Sequence, residues 1–421
     1  MNKLSLAISL SLLCVSAFNT QATTYISAKA MLDVNNGKLI KAPLIQIDDG
    51  IITKITTEQA PKLQQGDEHI ELPELTILPG LMDMHVHLTS DPTVPRSERI
   101  GQSVPRQAIK AAYFAKKTLK AGFTTLRNVG AGGYSVIAVR DGINAGDIAG
   151  PRIWAAGPSL GVTGGHCDNN RLPPEMKYTA EGVADGPWAA RTKVRENIKY
   201  GANVIKFCAT GGVFSKGTKV GIQQYSQDEM NAIVAEAHMR GVTVAAHAHG
   251  TSGIKAAIVA GVDSVEHVSY VDDEAIKLAK KHGTWFSMDI YNTEYTLTYG
   301  EENGVAEENL AKERLVSKRQ RESFSRAVKA GVKMVFGTDA AIYPHGDNAK
   351  QFSRMVEFGM TPLQAIQSAT INSAKLLKVD TQLGQLKPGF AADIIAVKGN
   401  PLSDISKLEN VKFVMKAGKA Y

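Results

Sequence analysis

The sequence predicts an α/β protein, a (β/α)8 barrel with a small β-sandwich formed by the two ends of the chain. Three observations predict it. Between about residues 76 and 376, eight short apolar segments alternate with stretches of helical character. Polar side chains suited to metal binding recur at the C-terminal ends of those segments. Both ends of the chain are rich instead in short alternating strands around Asn-Gly, Asp-Gly and glycine turns.

Residues 1–22, "MNKLSLAISLSLLCVSAFNTQA", read as a secretory signal. Lys3 supplies the positive start, an apolar run follows, and small residues lead to Ala22 as the last residue before cleavage. The apolar run is short for a membrane span. A periplasmic or secreted protein is expected, without a membrane partner once the signal is removed. Residues 23–78 and 378–421 form the sandwich. Its strands come from "TTYISAKAMLDVNNGKLIKAPLIQIDDGIITKITT", "GFAADIIAVKGNPL" and "VKFVMKAGKAY".

Residues 79–377 form the barrel. Its strand segments are "LPGLMDMHVH", "FTTLRNVG", "RIWAAG", "NVIKFCATGG", "VTVAAHAHG", "SVEHVS", "WFSMDI" and "KMVFGTDA". Helical stretches such as "SQDEMNAIVAEAHMRG", with a Ser or Thr start and a glycine stop, separate most of them.

The chain of 421 residues is 43% hydrophobic and 21% charged, ordinary for a globular protein with a sizeable core. A net charge of +7 is spread without a basic run of five or more, which argues against a nucleic-acid partner. Beyond the signal only Cys167 and Cys208 remain. Two cysteines do not make a disulfide scaffold, and whether they pair is open. Homo-oligomerisation through apolar helix faces is open as well.

The chemistry lies at the strand ends. His85 and His87 are two apart on the first strand and so face one spot. Lys206 lies in the fourth strand, His247 and His249 end the fifth, His267 ends the sixth and Asp339 the eighth. Each has an ordinary structural explanation alone; together they form a ligand set for zinc or a similar divalent ion. Lys206 fits the same set. An ammonium ion inside a core is costly, but a neutral amine that adds carbon dioxide becomes an anionic carbamate able to bridge two metals.

"GLMDMHVHLTS", "VIKFCATGGVFS", "VAAHAHG", "VEHVS" and "FGTDA" resemble the signature segments of the binuclear-metal amidohydrolase superfamily, over nearly the whole mature chain. "TGGHCD", "CATGGVFS", "FSMDIYNT" and "YPHGDNAKQF" are similar to its Xaa-Pro dipeptidase-like and imidazolonepropionase-like branch, and to secreted dipeptidases that release C-terminal arginine or lysine. The resemblance implies a binuclear metallohydrolase of dipeptidase or carboxypeptidase type acting on a small peptide. His85, His87 and Asp339 would hold one metal, His247 and His267 the second, and Lys206, as N6-carboxylysine, would bridge them. Two metals sharing a water make hydroxide available near neutral pH, with Asp339 moving its proton to the leaving nitrogen.

His249 is expected to steady the oxyanion, and His166 to grip the substrate's carboxylate or carbonyl. Asp289, at the end of the seventh strand, is expected to pair with a cationic leaving residue. Tyr225 and His345 are expected in the pocket lining. Alternatives on the same site are a prolidase, an N-acyl amino acid hydrolase such as one acting on a toxin amide, and a cyclic-amide hydrolase. Mononuclear deamination is disfavoured by Lys206. A periplasmic binding protein or scaffold is the alternative that is not an enzyme.

Overall fold

A computed structural model describes residues 22–57 and 60–421. The secretory-signal reading, apart from Ala22, lies outside the described residues. The chain begins with five strands, β1 (Thr24–Asp33), β2 (Lys38–Lys41), β3 (Leu44–Asp48), β4 (Ile51–Thr56) and β5 (Glu68–Pro79). Eight shorter strands follow: β6 (Leu81–Val86), β7 (Phe123–Asn128), β8 (Arg152–Ala155), β9 (Val204–Cys208), β10 (Thr243–Ala248), β11 (Ser264–His267), β12 (Trp285–Ser287) and β13 (Met334–Val335). The chain ends with β14 (Ile394–Lys398), β15 (Phe413–Lys416) and β16 (Lys419–Ala420).

The first five and last three strands share one sheet, ordered β16-β15-β14-β5-β1-β3-β4 with β2 on β1. The long strand β5 links the two ends of the chain. Its first part runs parallel to β1, and its last residues pair antiparallel with β14 from Leu75–Lys398 to Pro79–Ile394. Ile26, Ile45, Ile47, Ile52, Ile77, Ile394 and Met415 form this domain's own apolar cluster. Gly80 then turns the chain directly into β6. A side chain there would meet Thr124 Oγ1 at 2.3 Å, so glycine permits β5 and β6 to follow one another this closely.

Strands β6 to β13 are the eight predicted barrel strands, and they are parallel. They lie in two sheets, β6-β7-β8 and β9-β10-β11-β12-β13. Backbone hydrogen bonds close both gaps. Asn203 N donates to Ala155 O, and Leu160 N to Lys206 O, joining β8 to β9. Met84 N donates to Phe336 O, and Asp339 N to His85 O, joining β13 to β6. The ring is therefore complete, a (β/α)8 barrel with an additional β-domain.

Helices pack outside the barrel on a continuous apolar core that includes Leu126, Ile205, Phe207, Val244, Ile258, Val265 and Phe336. Because β6, β7, β9, β10 and β11 are covered on both faces, they are buried along their whole length, and β9 and β10 read as largely apolar runs in sequence. The Ser start predicted for one helix is a capping box: Ser226 and Glu229 satisfy each other's backbone N–H groups at the head of Gln227–Met239. Among the described residues, no helix is long and apolar enough to cross a membrane.

Candidate active site

The parallel barrel brings the C-terminal ends of its strands to one rim. A cavity of about 400 Å³ opens there, and its wall includes His85, His87, Lys206, His247, His267 and Asp339. His85 and His87 come from β6 and the residue after it, Lys206 from the middle of β9, and His247 from β10. His267 ends β11, and Asp339 follows β13. His85 Nε2 and His87 Nε2 each lie 3.5 Å from Asp339 Oδ1. The His267 ring stands 5.0 Å from His85 and 4.5 Å from His247, centroid to centroid. His267 and Asp339 both adopt positive φ, 71° and 53°, which is uncommon for residues with a side chain and turns both groups at the rim.

The donor set suits divalent metal ions. Three imidazoles are tethered through Nδ1: His85 to Glu266 Oε2 at 3.0 Å, His87 to Gly130 O at 3.1 Å, and His267 to Asp289 Oδ1 at 2.8 Å. Tethering one ring nitrogen orients the other as a ligand. His247 Nε2 is buried without a hydrogen-bond partner among the described residues, an arrangement that costs free energy unless something else engages the nitrogen. His85, His87 and Asp339 can place one ligand atom each within 4.8 Å of one another, and so can His247, His249 and His267.

The charges point the same way. Burial, then the nearby Lys206, keeps His85 neutral well below the usual histidine range and lowers His87 to about 3. Burial, then His166 and His267, does the same to His247. Burial opposes a charged His267, but Asp289 overrides it and raises that imidazole. Burial pulls Lys206 down to about 8 against the opposing pull of Glu266 and Asp339. A share of that amine is therefore uncharged near neutral pH, the form that can add carbon dioxide.

Behind the rim lies a network that sequence reading missed. Glu266 holds His85 through one oxygen and accepts from Arg127 Nη2 at 2.8 Å through the other. Ser264 Oγ also donates to Glu266, and Arg127 reaches Ser264 Oγ and Met84 O. All of these side chains are buried. The sequence signal was Ser264-Val265-Glu266: two polar residues two apart on a short apolar strand both point into the barrel.

Asp289 lines the cavity as expected. Its carboxylate lies 2.8 Å from His267 Nδ1 and accepts from Gln320 Nε2 at 3.0 Å and from Asn292 Nδ2 at 2.6 Å. Two other expectations are corrected. Tyr225 is in the core, not the pocket lining, and its hydroxyl donates to Ala184 O at 3.0 Å. His345 is also fully buried. Its Nε2 lies 3.2 Å from Ser90 O and its ring 4.6 Å from Phe114.

His166 and His249 do line the cavity. His166 stacks on His247 with ring centroids 4.1 Å apart, and its Nδ1 lies 2.9 Å from Ser215 Oγ. Gly212 lies against its face, where a Cβ would come within 2.4 Å of the ring. His249 Nδ1 lies 2.7 Å from Ser269 Oγ. Cys167 and Cys208 form a disulfide, with Cα atoms 5.9 Å apart. It ties the loop carrying His166 to the end of the strand carrying Lys206.

The profile of the amidohydrolase family matches residues 76–421. The chain belongs to the amidohydrolase family. It is 34% identical over 433 residues to ochratoxinase of Aspergillus niger, covering 97% of this chain and 88% of that protein. Among solved structures it resembles a Xaa-Pro dipeptidase with methionine bound in its active site, at 41% identity and a TM-score of 0.91, covering 95% of this chain and all of that one. It also resembles a prolidase complexed with N-methylphosphonate-L-proline, at 31% identity and a TM-score of 0.87, with 95% and 99% covered. This amidohydrolase is thus a hydrolase with a barrel-rim site fitted for metal, and its relatives support metal-dependent amide hydrolysis.

Proposed function

We propose that this amidohydrolase cleaves the amide bond joining an acyl or aminoacyl group to a free amino acid, with Xaa-Arg and Xaa-Lys dipeptides as preferred substrates. The observation that carries the reading is the convergence of His85, His87, Lys206, His247, His267 and Asp339 on one cavity. His85, His87 and Asp339 would hold one divalent ion, zinc being the preferred choice, and His247 and His267 a second. Lys206, as its carbamate, would join them. Ions so held supply Lewis-acid polarisation of the carbonyl and an acidified water.

The chain's own residues do the rest. Asp339 accepts the proton from the attacking water and delivers it to the leaving nitrogen. His249, with Nδ1 engaged by Ser269, presents Nε2–H to the developing oxyanion. His166 grips the substrate beside His247. Arg99, Arg171 and Lys216 on the cavity wall supply positive charge for the leaving residue's carboxylate. The methionine held by the dipeptidase relative supports a free amino acid as one product. The Cys167–Cys208 bridge supports a periplasmic or secreted location, where disulfides persist.

The test is a dipeptide panel with the C-terminal residue varied, on protein loaded with zinc, cobalt or manganese, alongside metal analysis. Hydrolysis that chelation abolishes, with two ions bound per chain, is expected; metal-loaded protein that cleaves no member of the panel overturns the reading. The likeness to ochratoxinase favours a second reading on the same site, hydrolysis of an N-acyl amino acid such as a toxin amide. N-acyl amino acids cleaved faster than every dipeptide would establish it instead.

A further inference from the structure

Among the described residues, the buried acids are Asp83, Glu236, Glu266, Asp289, Glu313 and Asp393. Five have clear partners. Glu236 meets three arginines, Glu266 has Arg127 and His85, Asp393 has Arg152, and Asp289 has His267, Gln320 and Asn292. Asp83 accepts from Thr338, Asn348 and two backbone N–H groups. Glu313 differs. It is 5% exposed, faces the active-site cavity, and accepts one hydrogen bond, from Thr293 Oγ1. No basic side chain among the described residues lies within ion-pair distance of it.

A buried carboxylate without a cation is expensive, so such a group either keeps its proton or waits for a positive partner. Burial, with Asp289 nearby, pushes Glu313 up to about 7 against the opposing pull of the Thr293 hydrogen bond and the more distant His267 and Arg321, which leaves it ready for either state at neutral pH. Its helix, Glu307–Lys329, turns three residues to the cavity, Glu313, Val316 and Gln320, spaced so that they share one face. Val316 is an aliphatic surface one turn from the carboxyl. Gln320 is committed to Asp289 and His267 O. The wall therefore offers an aliphatic side chain beside an acid without a cation among the described residues, which matches a methylene chain ending in a cation.

We propose that Glu313 and Val316 form the subsite for a lysine or arginine side chain, Val316 packing against the stem and Glu313 pairing with the ammonium or guanidinium. This rests on the amide-hydrolase reading above, and it gives Glu313 the role that sequence spacing had suggested for Asp289. Arg99, Arg171 and Lys216 carry the opposite charge on the same cavity wall, so an amino acid with an anionic carboxylate and a cationic side chain meets both signs.

The test compares L-lysine with L-norleucine, which has the same carbon chain without the terminal ammonium. Calorimetric binding to metal-loaded wild-type protein is expected to favour lysine roughly tenfold or more, as for a charged hydrogen bond in a buried site. In Glu313→Gln, which keeps the shape and the contact with Thr293, that preference should shrink to within about twofold. The same ratio is then measured as kcat/KM for Xaa-Lys against Xaa-norleucine. Equal binding of the two amino acids by the wild type overturns the proposal without recourse to a variant. A lysine preference that survives Glu313→Gln also overturns it, as does an equal loss for both amino acids, which would assign Glu313 to the shared α-ammonium. Selective, Glu313-dependent lysine binding without hydrolysis of any dipeptide would uphold the subsite and refute the dipeptidase reading.

Discussion

Glu266 Oε2 lies 3.0 Å from Nδ1 of His85, across the floor of the cavity from a strand 181 residues away. The same carboxylate is paired with Arg127, and this overrides the effect of burial and keeps it ionised. The acid thus orients an imidazole of the proposed metal site while its own charge is balanced from behind. Glu266→Gln should weaken metal retention about 10- to 100-fold, read by competition with a chelator. Arg127→Met leaves the buried acid without its cation, and should cost about 3–5 kcal/mol in urea unfolding. Combining the two substitutions should recover part of that loss.

Asp289 plays the same part for His267. Asp289→Asn should lower metal retention and should reduce kcat/KM for Xaa-Lys and Xaa-norleucine by the same factor, because it acts on the imidazole rather than on the substrate. A loss confined to the cationic substrate would return Asp289 to a specificity role.

The disulfide closes a loop between residues 41 apart. Cys208→Ser should reduce stability by about 4 kcal/mol on the chain-entropy scale, seen as a lower urea midpoint. It should also cut turnover about tenfold with metal content intact, since the loop that places His166 over His247 is released. His166→Ala should lower turnover by a similar factor. In the Cys208→Ser background it should add little, because both changes act through one group.

Glu313 has a signature in stability as well as in binding. Its folded pKa of about 7 lies above the ordinary glutamate value of 4.5, so the folded chain holds this proton where the unfolded chain has released it. The proton therefore favours folding fully below about pH 4.5, and that advantage is lost as pH rises through 7. Glu313→Gln removes the dependence. Its melting temperature relative to wild type should rise steadily from pH 5 to pH 8 in metal-free protein, by an amount equivalent to about 3 kcal/mol at the upper end. Adding metal should narrow the gap, since nearby positive charge favours the carboxylate.

Local pattern was enough to reveal the barrel strands. Segments such as "NVIKFCATGG" and "VTVAAHAHG" are apolar because both faces of their strands are covered, and glycines mark where they turn. The His85-x-His87 spacing, and the placement of Lys206, His247, His267 and Asp339 at strand ends, follow from the same local geometry. Loop residues were less legible. Tyr225 and His345 follow barrel strands as expected, yet Tyr225 turns its hydroxyl to Ala184 and His345 turns its ring to Phe114, because a loop's path has no fixed period.

By itself the sequence determined the strand order, the family's metal-competent groups and the rim on which they meet, since each depends on residues close together along the chain. Only the tertiary structure decided what stands behind them. Glu266 with His85 and Arg127, Asp289 with His267, Cys167 with Cys208, and Glu313 without a cation are relationships between distant segments. Whether a buried carboxylate is paired depends on which charges closure of the barrel brings within a few ångströms of it, and electrostatic energy is governed by that distance and burial rather than by separation along the chain.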